Sequence, residues 1–325
     1  MRPLADPTVT GADVAVVLSS GLARYVALFR AQPPAADLAE TRLLGDLTAH
    51  RFAQGFAPRV ERFDSYVAAP GREIPVRVYD PGGDGARPAL CYFHGGGFSM
   101  GSVESFDLVG AALAEATGAV VVSVHYRRLP DSSYAAAQDD CDRAFAWSVR
   151  QAEALGVDPA RIGVAGDSAG ALLALACAAN ARDAGGPVPV CQALFYGAFA
   201  MDPERSAYQA SRDPLLSGER VRQYIALFRR CGGLDSHPAP VERDDLAGLP
   251  PAHMVAAEFD PLCGETDELA KRLDAAGVAT SLRRAPGMIH GFLRAVGVSS
   301  DARDELARAA AAVCALLQPI DRRGS

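Results

Sequence analysis

A serine framed by glycines, Gly166-Asp167-Ser168-Ala169-Gly170, lies between the apolar run Arg161 to Ala165 and the Ala/Leu-rich stretch Ala171 to Ala181. A strand that turns sharply into a helix at such a serine is a nucleophile elbow. The turn strains the serine backbone and pushes its hydroxyl clear of the sheet. Glycines flank it because strand and helix pack too closely there for any side chain. Ala169 opens the helix, so its backbone N–H is free to donate to an anion. The chemistry this segment points to is acyl transfer, with Ser168 as nucleophile and Ala169 as half of an oxyanion hole.

Such a serine needs a base, and the base needs a carboxylate to orient it. Behind an elbow of this kind the partners follow in the order serine, acid, histidine. Of the six histidines, His50, His94 and His125 precede Ser168, His237 falls in an irregular segment, and His253 stands at the start of a strand. His290 remains, on the loop that follows the strand Ala279 to Arg283. For the acid, Asp260 sits just past the strand Met254 to Ala257, next to Pro261, which has no N–H to compete for the carboxylate. Glu265 is the alternative acid, although it and Asp267 are expected on the next helix, facing solvent or capping it. The second half of the anion site is read in His94-Gly95-Gly96-Gly97-Phe98. Glycines there let backbone N–H groups approach a ligand unobstructed. Donors are expected from Gly96 and Gly97, with Gly95 setting the turn and His94 holding the loop. Asp167 is expected to support nearby loops. A phosphate loop is the competing reading, but no GxxxxGK[ST] sequence is present.

The elements that must position these residues alternate. Glu61 to Val67, Ile74 to Tyr79, Ala89 to Phe93, Ala119 to Val124, Ile162 to Ala165, Val190 to Phe195, Met254 to Ala257 and Ala279 to Arg283 read as strands. Ser105 to Ala116, Ala135 to Ala154, Thr266 to Ala276 and Ser300 to Leu317 read as helices. The pattern predicts an α/β fold with a mostly parallel sheet covered on both faces, and ligands bind beyond the carboxyl ends of such strands. Two regions break the alternation. Residues 1–57 show helical spacing only, with Leu38, Leu43, Leu44, Leu47 and Phe52 expected on one face. Residues 199–232 mix polar and apolar side chains.

Composition excludes several classes. A net charge of −7 with no basic cluster offers nothing to nucleic acid or to a membrane surface. No apolar stretch reaches membrane-spanning length, and Asp13 before the apolar Val14 to Ser19 is unlike a secretory leader. Seven scattered cysteines, an odd number without metal-binding spacing, fit a reduced compartment. A cytoplasmic protein without metal or organic cofactor is expected.

Together these motifs resemble the hormone-sensitive-lipase-like family of α/β-hydrolase carboxylesterases. The glycine loop matches its HGGG signature and the elbow its GDSAG form, and Asp260-Pro261-Leu262 and His290-Gly291-Phe292 match its acid and base motifs. Tyr126-Arg127-Arg128-Leu129-Pro130-Asp131 is similar to the family's YRLAPE segment, with Arg128, Leu129 and Asp131 as departures, and Tyr134-Ala135-Ala136 departs from the usual FPA. The resemblance implies a serine carboxylesterase taking a small-molecule ester, with an α/β-hydrolase core at 58–198 and 233–325 and a helical cap from 1–57 and an insertion at 199–232. Phe98, Tyr196, Phe199 and Leu215 would contact substrate, while Tyr208, Leu216, Tyr224 and Phe228 would line or brace the pocket. Arg205, Arg212 and Arg220 in that insertion favour short or medium acyl chains. Family members often dimerise through the last strand and helix, so a homodimer is possible. The same triad could cleave an amide, a lactone or an acylated natural product. The family also holds a plant hormone receptor that has lost its histidine, which disfavours a purely ligand-binding role here because His290 is present.

Overall fold

The computed structural model describes residues 16–236 and 238–318. Asp13, Val14 and His237 lie outside the described residues. The strands are β1 (Glu61–Ala69), β2 (Arg72–Asp80), β3 (Arg87–Phe93), β4 (Val120–Val124), β5 (Val157–Asp167), β6 (Gln192–Phe195), β7 (Ala252–Ala257) and β8 (Thr280–Ala285). They form one sheet in the order β1-β2-β4-β3-β5-β6-β7-β8. β2 is antiparallel to both its neighbours, and every pairing from β4 to β8 is parallel. Parallel neighbours require a crossover, and helices supply it.

The helices are α1 (Ser20–Arg30), α2 (Leu38–Thr48), α3 (Asp107–Thr117), α4 (Tyr134–Arg150), α5 (Ala169–Asp183), α6 (Ser206–Gln209), α7 (Gly218–Arg230), α8 (Cys263–Ala275) and α9 (Ser300–Leu316). One face of the sheet packs against α4, α5 and α8, the other against α1, α3 and α9. β4 shows why the run is continuously apolar. Val120, Val122 and Val124 join the first core and Val121 the second, so both faces of the strand are buried. Each fully buried valine side chain contributes roughly 1.5–3 kcal/mol relative to exposure.

Three expectations are corrected. α4 ends at Arg150, short of Ala154, and the 151–156 segment turns back so that the Gly156 carbonyl accepts from the Arg87 N–H at 3.0 Å. β5 starts early, at Val157 opposite Arg87, and the register then jumps to Ala89 opposite Ile162. Pro159 has no N–H for the ladder, so the intervening residues bulge out. The leucine face of α2 does not form: Leu43 is 55% and Leu47 60% exposed, while Phe52 is buried on the separate 3-10 turn Ala49–Ala53. The inward side of α2 docks instead through polar groups. Arg42 donates to the Ser99 carbonyl at 2.7 Å and the Leu129 carbonyl at 2.8 Å, and Asp46 accepts from Ser102 Oγ.

β3, β5, β7 and β8 all end at the same edge of the sheet, and the segment after each carries one of the chemically marked groups: His94 to Phe98, Ser168, Asp260 and His290. Packing there is very close. A Cβ on Gly170 would come within 1.9 Å of the Phe93 carbonyl oxygen, and one on Gly166 within 2.1 Å of the Gly170 carbonyl oxygen. Gly170→Ala is therefore expected to cost about 3 kcal/mol or more, read as a lower denaturant midpoint. A variant as stable as the parent would mean that α5 and β3 do not approach this closely.

Candidate active site

Ser168 is held with φ +53° and ψ −120° at the junction of β5 and α5. Its N–H donates to the Phe195 carbonyl at 2.9 Å, which fixes the junction to the neighbouring strand. Left-handed φ in a residue with a Cβ is strained. It is maintained here because the helix has no room to start anywhere else.

His290 reaches over the strand ends from the loop after β8. Gly291, at φ +73°, turns the chain into the 3-10 turn Phe292–Ala295. His290 Nε2 lies 2.8 Å from Ser168 Oγ, and Nδ1 lies 2.7 Å from Asp260 Oδ2. With the ring proton on Nδ1 and donated to Asp260, Nε2 is left to accept the serine hydroxyl proton. The other Asp260 oxygen accepts from the Leu262 N–H at 2.8 Å. Burial alone would lower the His290 pKa, but Asp260, through its charge and its hydrogen bond, reverses that and raises it above the ordinary histidine value.

The glycine loop is anchored from below. Asp167 Oδ1 accepts from the Gly95 N–H at 2.7 Å and from Tyr92 Oη at 2.5 Å. The Gly95 N–H is thereby engaged, so Gly95 sets the turn and offers no donor to a ligand. The N–H groups of Gly96, Gly97 and Ala169 have no acceptor among the described residues. Gly96 at φ +118° and Gly97 at φ +58° adopt backbone open to glycine, and a Cβ on Gly97 would strike the Tyr224 ring at 2.3 Å. His94 is buried and stacked on Tyr126 at 4.4 Å, and burial drives its pKa down to about 3. The neutral ring donates from Nδ1 to the Gly95 carbonyl at 2.9 Å. The Tyr126 to Asp131 segment braces the same loop. Tyr126 Oη donates to the His94 carbonyl at 2.7 Å, the Leu129 N–H to the Phe98 carbonyl at 2.9 Å, and Arg128 Nη1 to the Gly101 carbonyl at 2.6 Å.

A cavity of about 470 Å³ opens above Ser168, His290, Gly96, Gly97 and Ala169. α1 and α2 contribute Tyr25, Phe29 and Arg42 to its wall, and the segment between β6 and β7 contributes Tyr208, Leu215, Leu216 and Tyr224. Phe98 also lines it, its ring tilted against that of Phe228 with centroids 4.8 Å apart. Two expected contacts are corrected. Tyr196 is fully buried beneath the cavity, where its ring meets His290 edge-on at 5.1 Å. Phe199 is also fully buried, packed against Gly197 in the core. Both follow β6 directly, where Ala198 between them lines the cavity while the two rings turn into the core.

Glu265 is not the exposed helix residue expected. It is buried, accepting from the Phe199 and Ala200 N–H groups at 2.7 Å each and from Tyr208 Oη. Burial pushes its pKa up to about 7. Asp260, and not Glu265, bonds to His290. Asp267 pairs with Arg284. His253 Nδ1 is engaged with Ser281 Oγ at 2.8 Å.

Asp213 was not legible beforehand. Its Oδ2 accepts from the His290 main-chain N–H at 2.5 Å, and its Oδ1 accepts from Leu215 and Leu216 at 2.8 and 2.9 Å. Burial, reinforced by the charge of Asp260, raises its pKa to about 6. The turn Asp213-Pro214-Leu215 carries a local signal for an Asx turn, but nothing in it announces a bond to a residue 77 positions on.

Residues 90–294 match the model of an alpha/beta hydrolase fold family. The chain is 34% identical to the carboxylesterase NlhH of Mycobacterium tuberculosis, over 95% of this chain and 98% of that protein. It is 34% identical to an ethyl acetate hydrolase of Pseudomonas putida, over 74% of this chain and 78% of the relative. The solved hyperthermophilic esterase of the archaeon Pyrobaculum calidifontis superposes with a TM-score of 0.82 at 32% identity, covering 92% of this chain and 98% of that one. The chain belongs to the hormone-sensitive-lipase-like α/β-hydrolases and is a carboxylic ester hydrolase. No helix among the described residues is long and apolar enough to cross a membrane.

Asp213→Ala leaves three N–H groups, that of Leu216 buried and those of Leu215 and His290 part-buried, without their acceptor, a loss of about 1–3 kcal/mol for each that water cannot reach. Thermal unfolding should shift down by several degrees, at roughly 2–4 °C per kcal/mol. An unchanged midpoint would show that the Asp213 clasp carries no tension in the folded protein.

Proposed function

We propose that the enzyme hydrolyses small acyl esters through an acyl-enzyme formed on Ser168. The observation that carries this reading is the continuous hydrogen-bonded line from Asp260 to His290 to Ser168, at 2.7 and 2.8 Å, beside three N–H groups without acceptors among the described residues. Ser168 Oγ attacks the ester carbonyl carbon as its proton passes to His290 Nε2. The N–H groups of Gly96, Gly97 and Ala169 take the charge that develops on the carbonyl oxygen. Losing one such donor costs on the order of 10²–10³ in rate. The Asp260 carboxylate holds the ring in the required tautomer and stabilises the imidazolium. Collapse of the tetrahedral intermediate breaks the bond to the alcohol oxygen, which leaves with the proton from His290. Water then attacks the acyl-serine, His290 takes its proton, and the second collapse returns that proton to Ser168 as the acid departs.

α1, α2, α6 and α7 with their connections act as the cap, corresponding to 1–57 and 199–232, over a core at 58–198 and 233–325. What supports this division is that they supply the outer wall of the cavity while the strand ends supply its floor. Short to medium acyl chains fit best. The volume lies in the range of small-molecule sites, and Gln32, Thr41 and three arginines interrupt the apolar lining. One relative is itself an ethyl acetate hydrolase.

With p-nitrophenyl butyrate, Ser168→Ala should lose activity by roughly 10⁴-fold or more; equal rates in the two proteins would sink the reading. In a series from C2 to C16 the maximum should fall below C12. The base must be neutral, and the His290 pKa is raised, so kcat/KM should decline as pH falls through a value above the ordinary ~6.5. A decline centred well below that value would contradict the pairing with Asp260.

A further inference from the structure

Most charged groups on the cavity wall already have partners. Arg42 is tied to two carbonyls and to Asp131. Asp167 is engaged by Tyr92 and Gly95, and Glu265 by two backbone N–H groups and Tyr208. Arg294 is different. It stands four residues after His290, at the end of the 3-10 turn, and lines the same cavity as Ser168. Its guanidinium lies over three rings, 5.8 Å from Phe29, 5.1 Å from Phe52 and 5.0 Å from Phe106. Among the described residues no carboxylate pairs with it, and its Nε is buried without an acceptor.

Rings engage the face of a guanidinium, by cation–π attraction. They leave its in-plane N–H donors untouched, and those are the groups that bind a carboxylate in a two-pronged contact. Burying a cation with its donors unmet is unfavourable unless an anion arrives. Nearby acids are engaged elsewhere: Asp167 feels the charge of Arg294 but is hydrogen-bonded to Tyr92 and Gly95. Glu104 and Asp107 line a smaller adjoining cavity of about 150 Å³ that Arg294 also borders, but both bond to Arg77, at 2.9 and 3.1 Å. A second cavity arginine, Arg220, likewise has only a ring, Tyr224 at 5.9 Å, and no carboxylate among the described residues. Arg294 and Arg220 thus line the ester site with no carboxylate hydrogen-bonded to either among the described residues.

We propose that the ester this cavity takes carries a carboxylate, as in a half-ester of a short dicarboxylic acid, and that Arg294 receives it. The proposal rests on the esterase reading and names its substrate class. In chemical terms, the enzyme would consume the product of a reaction that esterifies one end of a diacid, and would return the diacid and the alcohol.

The test compares monoethyl succinate, glutarate and adipate with neutral ethyl esters in which an isopropyl group replaces the carboxylate, followed by proton release. For at least one pair the wild-type kcat/KM should favour the acid. In Arg294→Met that preference should fall by roughly 10- to 100-fold, the range of a hydrogen bond to a charged group. Arg294→Lys should keep part of it, since it retains the charge and loses the fork. The free diacid of the preferred length should inhibit the wild type competitively, and less well in Arg294→Met. If the wild type favours the neutral ester in every pair, the proposal is overturned, whether or not the Met variant folds. An equal preference in wild type and either variant overturns it as well. Continued cleavage of p-nitrophenyl butyrate in such a case leaves the esterase reading standing, whereas its absence brings down that reading too.

Discussion

Helix α5 begins in backbone contact with β3, and most of the site follows from that contact. The space beside the Phe93 carbonyl admits hydrogen at Gly170 and nothing larger. The chain must therefore complete its reversal within Asp167, Ser168 and Ala169, and Ser168 takes a left-handed backbone to do so. That conformation lifts the hydroxyl over the strand ends and directs the first N–H of the helix to the same point. Asp167, caught in the turn, reaches back to the Gly95 N–H and pins the glycine loop next to the serine. Two segments distant in sequence thus share one rigid joint, as a preorganised oxyanion site requires.

Electrostatics in this joint are set by burial. His94 stacks on Tyr126 behind the glycine loop that Asp167 anchors, and burial keeps His94 neutral. His290 sits between two acids with different tasks. Asp260 takes its ring N–H and raises its basicity, while Asp213 takes its main-chain N–H and carries the cavity's outer wall with it through Leu215 and Leu216. The wall over the site and His290 within it are consequently linked through one buried carboxylate.

The order of strands and helices, the elbow, the glycine loop and the Asp260 and His290 positions were legible because each is local: an apolar run, a glycine pair, a loop just past a strand. What escaped depends on long-range packing. The leucines of α2 have helical spacing, yet Arg42 and Asp46 decide which side faces inward because they bond to loops far along the chain. Tyr196 and Phe199 have the composition of pocket residues, but their rings turn into the core while Ala198 between them lines the cavity. Glu265 has the look of an exposed helix acid, and it is buried because the 199–200 turn brings two N–H groups to it. Asp213 and Arg294 gain their meaning only from partners that folding brings together, or fails to bring.

The central claim is that folding makes Ser168, and no other residue, a nucleophile through His290. It is tested most directly by treating the native enzyme with a fluorophosphonate and mapping the adduct by peptide mass spectrometry. The account predicts one phosphonyl group per chain, on Ser168, formed rapidly in the folded protein, not formed after denaturation, and slowed by orders of magnitude in His290→Ala. An unlabelled Ser168 in folded protein, or labelling equally fast without His290, would contradict it.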